Sequence, residues 1–244
     1  MPEPKLEQQI LSHQAELQVA DKLAAVENID IDIKTDFWKM IQGHADGVAL
    51  SGKGMLIQKD IRVQELHLKT DNIDINPLNA VFGQVELSHP INAVAQMVMT
   101  EADINRALNS DYIRAMMQQI ELHLAGETVI LKPQQIQIKL PDDSKIECSG
   151  KVQLTEAGTT RPINFIATMS PRTLRQPLKL LNFATDAGVS LEFLAAIIPK
   201  LEQLVNLPYL NLEDMALRIK DIQMQPGTLT LTADAHIRHL PHKP

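Results

Sequence analysis

The chain has 244 residues, 44% of them hydrophobic but only 3% aromatic, and a formal net charge of -7. That length allows one large domain or two small ones, with enough apolar content for a sizeable core. The acidic balance argues against a nucleic-acid partner, which would need Lys and Arg to neutralise phosphates, and against binding anionic membranes through overall charge.

Residues 5–26 carry Leu6, Ile10, Leu17 and Ala24 on one stripe, with Glu7, Gln14 and Asp21 elsewhere, which predicts an amphipathic helix. The residues before it form no apolar h-region, so no signal peptide is expected, and no run approaches the roughly 18 apolar residues of a membrane span. The expectation is a cytoplasmic chain, with a peripheral membrane contact left open. Ile29, Ile31 and Ile33 alternate with Asp30, Asp32 and Lys34, the pattern of a half-buried strand, and residues 36–42 predict a short helix stopped by Gly43. Strands are expected over 48–56, 61–68 and 72–75. Asn76 then suits the cap, and Pro77 the first position, of a short helix ending at Gly83. The tetrapeptide Asn-Ile-Asp-Ile stands at 28–31 and again at 72–75, each time ahead of a short helix, as in a repeated unit.

Residues 85–99 read as strand, with Pro90 marking an edge or a break. Thr100-Glu101-Ala102-Asp103 resembles a capped start for a helix running to about Leu108, and residues 111–117 add another turn or two. Three strands are expected between 120 and 154 and one more over 162–169. Residues 170–183 are expected to be helical in part, kinked at Pro177, and 190–205 form the most apolar helix, with Pro199 inside. Residues 210–225 and 228–237 close the chain as a hairpin around Pro226-Gly227. With no linker in between, the expectation is a helix over 1–27 and a single α+β domain over 28–240, a long antiparallel sheet with helices on its apolar face.

Glu65-Leu66-His67-Leu68 and Glu121-Leu122-His123-Leu124 set Glu and His on one strand face, at a spacing that could serve a metal. That face lies opposite the leucines, so a solvated surface is expected and no metal is assigned. His236, His239 and His242 are separated by Pro241, which breaks any helix that would align them. The pairs Asp30/Asp32 and Asp71/Asp74 fall on an outer face. Cys148, the single cysteine, shares a strand face with Ile146, Val152 and Leu154 and reads as a small buried hydrophobe; no internal disulfide can form. No phosphate loop, nucleophile elbow or paired-Cys motif occurs, so neither catalysis nor a cofactor is expected.

Two stretches stand out. Residues 157–185 contain no Asp or Glu but carry Arg161, Arg172, Arg175 and Lys179. On a helix opened by Pro171, Arg172, Arg175 and Lys179 would share one face beside Leu174, Leu178 and Leu181. That layout fits an interfacial helix on anionic headgroups and, equally, an ordinary surface helix. The stretch Leu191 to Leu201 is apolar nearly all round, so its helix must be buried, inserted or facing a ligand, with a plain core helix the commonest of these. The aromatic-poor lining of Ile, Leu, Val and 10 Met suits acyl chains and also an ordinary aliphatic core.

The run Val63-Gln64-Glu65-Leu66-His67-Leu68, then Ile75-Asn76-Pro77-Leu78, Phe82-Gly83, and Thr100-Glu101-Ala102-Asp103-Ile104-Asn105-Arg106-Ala107-Leu108, resembles the bacterial LmeA-type phospholipid-binding family. Residues 207–237 look similar too. The resemblance implies a fold like the tubular lipid-binding superfamily: a half-barrel, strongly twisted sheet that wraps a long apolar helix and leaves an apolar groove. It implies phospholipid binding without catalysis. Family members commonly carry an export signal or an anchor, and neither is read here. On this basis Phe193, Leu194, Ile197, Ile198 and Leu201, with Met97 and Met99 from the sheet, are expected to line a cavity for acyl chains. Arg172, Arg175 and Lys179 are expected to meet the headgroup or the membrane surface. The alternative is a scaffold whose sheet face binds another protein.

Overall fold

The structure is a computed structural model that describes residues 6–74, 87–116, 119–124, 127–141, 145–186, 189–206, 210–211 and 215–238. In chain order its elements are α1 (Leu6–Lys22), β1 (Asn28–Lys34), α2 (Phe37–Ile41), β2 (His44–Ala45), β3 (Gly47–Gln58), β4 (Ile61–Thr70), β5 (Ile73–Asp74) and β6 (Ile91–Thr100). Next come α3 (Glu101–Leu108), α4 (Asp111–Met116), β7 (Ile120–Leu124), β8 (Glu127–Lys139), β9 (Ile146–Glu156), β10 (Thr159–Ser170) and β11 (Lys179–Thr185). The chain closes with α5 (Leu191–Val205), β12 (Leu210–Asn211), β13 (Met215–Gln225) and β14 (Thr228–Ile237). The fold is α+β, and the chain divides into two compact units: residues 1–98, 208–220 and 230–244, and residues 99–207 and 221–229.

The first unit is built on a sheet of order β1-β3-β4-β6-β14-β13-β12. Period-two alternation puts aliphatic residues in register across it: Ile31 faces Leu50, Leu50 faces Leu68, and Leu68 faces Ala95. Ile91, Ala93, Ala235 and Ile237 form a buried cluster on this sheet, with Leu68, Ile73, Leu87 and Leu217 packed against it. An edge strand exposes unpaired N–H groups, and β1 is an edge. Helix α1 covers it: Glu16 Oε1 accepts the Ile31 N–H at 3.1 Å, and Ser12 Oγ accepts the Ile33 N–H at 3.3 Å. One helical turn separates the two acceptors, and two strand residues separate the two donors.

Helix α2 is capped by Asp36, whose Oδ1 accepts the Lys39 N–H at 2.9 Å, and Gly43 at φ 78° turns the chain out of it. The two Asn-Ile-Asp-Ile copies end in different settings. The first supplies β1, whereas the second supplies only β5, paired with β2 in a two-stranded ladder. The short helix expected over 76–83 lies outside the described residues, as do His239 and His242.

The second unit is built on a five-stranded sheet of order β11-β10-β9-β8-β7, each neighbouring pair antiparallel. Ile120, Leu122, Val129, Leu131, Val152, Leu154, Ile163 and Phe183 come from all five strands and join one cluster with α5. Five strands span roughly 19 Å at 4.8 Å spacing, about twice the width of a helix. Both edge strands touch this one helix, which they can do only if the sheet curls around it. Bulges at Pro133/Gln135 and Thr168/Met169 supply extra twist. Gly150 is needed at the first of these, because a Cβ there would collide with the Gln135 carbonyl oxygen.

Strand β7 pairs β8 only as far as Leu131. Helix α3 takes over beyond it. Asn105 donates from Nδ2 to the Ile138 carbonyl at 2.8 Å and accepts its N–H on Oδ1 at 2.7 Å. Asn109 Nδ2 donates to the Ile136 carbonyl at 3.0 Å, and Glu101 Oε2 accepts the Leu140 N–H at 2.8 Å. The expected cap is present: Thr100 Oγ1 accepts the Asp103 N–H at 3.1 Å.

One expected helix is absent. Residues 171–178 form a loop, and 179–185 form strand β11. Thr173 Oγ1 accepts the N–H groups of Arg175 at 3.3 Å and Gln176 at 3.1 Å, and the Thr173 N–H donates to the Gln176 carbonyl at 2.9 Å. Those bonds occupy groups that a helix would use, and Pro177 steers Gln176 away from helical geometry.

Candidate functional site

Helix α5 starts at Ser190, whose Oγ accepts the Phe193 N–H at 3.1 Å. Phe193 and Ile197, at 5% and 2% exposure, point into the sheet and are packed core. Leu194, Ile198 and Leu201 pack against that cluster but stay half-buried. The helix is not equally covered all round: Glu192, Ala195, Pro199 and Gln203 make an exposed stripe. Pro199 lacks the N–H that would pair with the Ala195 carbonyl, and its place on the exposed side leaves that carbonyl to water.

The helix ends at Asn206, which ties the basic loop to it. Its Nδ2 donates to the carbonyls of Leu178 at 2.8 Å and Glu202 at 2.9 Å. Its Oδ1 accepts the Leu178 N–H at 2.9 Å and a longer contact from Arg172 Nη1 at 3.4 Å. Glu202 Oε1 accepts the Leu180 N–H at 3.3 Å. The Arg172 carbonyl accepts the Ile222 N–H at 2.8 Å, so this half-buried residue is held at both ends.

The helical face expected for Arg172, Arg175 and Lys179 therefore does not form. Arg175 and Lys179 are exposed, the first in the loop and the second at the start of β11. Of the three leucines, Leu178 is buried, while Leu174 is 73% exposed. The result is an exposed apolar tip next to a guanidinium. An amide at a helix C-cap, such as Asn206, was a signal for a fixed loop that periodicity alone does not carry. Met97 lies in the first unit, opposite Leu66 of β4, and Met99 belongs to the second; both are half-buried.

Two cavities are lined by other residues. One, of about 600 Å³, lies in the first unit on the side of the sheet that carries Lys69, Asn92, Val94, Arg218, Asp234 and His236. A hydrogen bond from Arg218 and another from Lys220 hold the Asp234 carboxyl below its usual range. The other, of about 260 Å³, lies in the second unit beside the Pro133 bulge.

The residues that invited a chemical role have ordinary partners. His67 Nδ1 lies 3.1 Å from Ser51 Oγ, and His123 Nδ1 lies 3.3 Å from Thr128 Oγ1. Glu121 accepts from Gln119 at 2.9 Å. Cys148 is half-buried, and burial pushes its thiol up to about 11, so it is protonated at neutral pH and a poor nucleophile. Among the described residues no three His, Cys, Asp or Glu side chains gather as a metal site, and no described helix is long and apolar enough to cross a membrane.

The family model of LmeA-like phospholipid-binding proteins matches residues 6–234. No curated protein and no solved structure matches the chain. The curled sheet about one apolar helix is the architecture that the family resemblance implies, and the match runs over nearly the whole length: the chain belongs to the LmeA-like phospholipid-binding family.

Proposed function

We propose that this protein holds phospholipid without acting on it chemically, with acyl chains lying along the half-buried flank of α5. The observation that carries this reading is the set Leu194, Ile198 and Leu201. They project from the one helix that all five strands surround, above the packed core of Phe193 and Ile197, and they remain partly exposed. Each acyl methylene removed from water there contributes about 0.8 kcal/mol, and the half-exposed leucines gain cover at the same time. Met99, which belongs to the same unit as α5, is a further candidate for acyl contact. Arg175 and Lys179 supply charge for a phosphate-bearing surface, with Leu174 as the apolar tip, in a stretch that contains no carboxylate from residue 157 to 185. Arg172 supports the loop through Asn206 and contributes charge beside it.

The test is native mass spectrometry with organic extraction of the purified protein. Wild type should release phospholipid, and Ile198→Glu should release none while its far-UV spectrum stays native. Wild type that releases no lipid, or an Ile198→Glu protein that releases as much as wild type, overturns the reading. A stable protein complex in place of lipid would favour the scaffold alternative.

A further inference from the structure

We infer that Trp38 and Ile41, at the tip formed by α2 and the β2–β5 ladder, are an interfacial anchor that dips into the headgroup region of a zwitterionic phospholipid bilayer. The inference rests on the phospholipid reading, because lipid that is nearly insoluble in water has to be met at a bilayer. Trp38 is 73% exposed and Ile41 is 53% exposed. Three residues apart on one short helix, they share a face. Indole combines a large apolar body with one N–H donor, which suits it to the boundary between acyl chains and water.

The tip is held in place, so this exposure is built in. Lys39 Nζ reaches the Asp46 carboxylate at 2.7 and 2.8 Å, the Asp46 N–H donates to the Lys34 carbonyl at 2.7 Å, and Thr35 Oγ1 donates to the His44 carbonyl at 2.8 Å. His44 in turn pairs with Asp74. Charge selects the kind of surface. Around the tip the carboxylates of Asp36, Asp46 and Asp74 outnumber the ammonium groups of Lys34 and Lys39, and Lys39 is already engaged by Asp46. With no surplus of positive charge the tip gives anionic headgroups nothing to bind, so it suits a zwitterionic surface, which asks for no net charge. Size points the same way: a stable protein interface covers about 800 Å² per partner, far more than two side chains offer.

Trp38 is the only tryptophan, so the emission of the full chain reads this position alone. With phosphatidylcholine vesicles, emission should shift to the blue, acrylamide should quench it less, and lipids brominated near the carbonyl should quench it more. In flotation, Trp38→Ala and Ile41→Asn should each weaken partition onto these vesicles, the first by roughly tenfold, with co-purifying lipid unchanged. Ile41→Asn keeps the reporter and should show a smaller blue shift. Emission that ignores neutral vesicles overturns the anchor. So does a shift that needs anionic lipid, or one reproduced by short-chain phosphatidylcholine below its micelle concentration, which would report a monomer in a pocket. Trp38→Ala that floats like wild type, or a protein complex through this tip with vesicles ignored, overturns it as well. Failure of the phospholipid reading looks different: no lipid on extraction, with the emission shift intact.

Discussion

Asn206 is a single side chain on which two backbones depend, the end of α5 and the start of β11. Its four contacts, to Leu178 twice, Glu202 and Arg172, lie between 2.8 and 3.4 Å. Removing it leaves a half-buried N–H and carbonyl at Leu178 without their partner, which costs about 1–3 kcal/mol. Asn206→Ala should lower the urea midpoint accordingly and speed amide exchange at Leu178. Asn206→Asp should not rescue it, because a carboxylate loses both donations and adds negative charge at a helix C-terminus. Cys148 makes a second prediction, in pH. Burial raises its thiol from the ordinary 9.0 to about 11, so the folded chain holds about one hundredth of the thiolate that an unfolded one does near neutrality. Labelling by a disulfide reagent should slow by about that factor relative to the chain in urea. The folded-state value is the higher one, so the protonated thiol's contribution to stability is intact below pH 9 and is lost as pH rises towards 11. Labelling at the unfolded rate in native buffer would show that Cys148 is not covered.

Helices α1 and α3 solve the same problem in separate units. Each lays polar side chains one turn apart along a strand edge, Ser12 and Glu16 on β1, and Glu101, Asn105 and Asn109 on β8. A helical spacing of four residues covers about 6 Å, close to the 6.6 Å between alternate strand residues, so helix and edge stay in step. Asn105→Ala should cost about 1–3 kcal/mol in urea denaturation, since both polar groups of Ile138 lose their partner. Arg106→Ala, next to it, keeps both Ile138 bonds and loses a long ion pair to the buried Asp103, 3.8 Å, so it should cost less than Asn105→Ala. Equal effects of the two would mean that the edge is not sealed by Asn105. The helix start at Thr100 was legible because a capping box is local chemistry, and the strands were legible because alternation survives burial. What Glu101 and Asn105 do was not, because a strand that needs sealing is known only once the sheet is assembled. The loop at 171–178 misled for a related reason. Its Arg and Leu spacing matches a helix, but Thr173, Pro177 and the distant Asn206 decide the backbone. Trp38 carried a signal that periodicity passes over: a lone tryptophan in an aromatic-poor chain, on a helix too short to bury it.

At the scale of the whole molecule, charge and docking pull against each other. The chain carries -7, which would repel an anionic bilayer, while in the proposed docking Arg175 and Lys179 would attract it locally at about 1 kcal/mol each. The two terms differ in range, so salt separates them. At about 0.01 M salt the screening length is roughly 30 Å, and most of the molecule's charge is felt at the surface. Near 0.1 M it is about 10 Å, so remote carboxylates drop out while groups in contact with headgroups still count. At about 1 M it is roughly 3 Å and the loop itself is screened. Flotation on anionic vesicles should therefore rise and then fall with salt, peaking near 0.1 M. Arg175→Glu with Lys179→Glu should remove the peak and weaken binding there by roughly tenfold or more. Arg172 stays unchanged in that variant, because replacing it would loosen the loop as well as its charge. Zwitterionic vesicles should show little salt dependence with either protein. A steady fall with salt from the lowest concentration would mean that net charge is not felt at the docking surface. A double variant that keeps the peak would remove the basic loop from docking and leave the acyl flank of α5 to be judged by extraction alone.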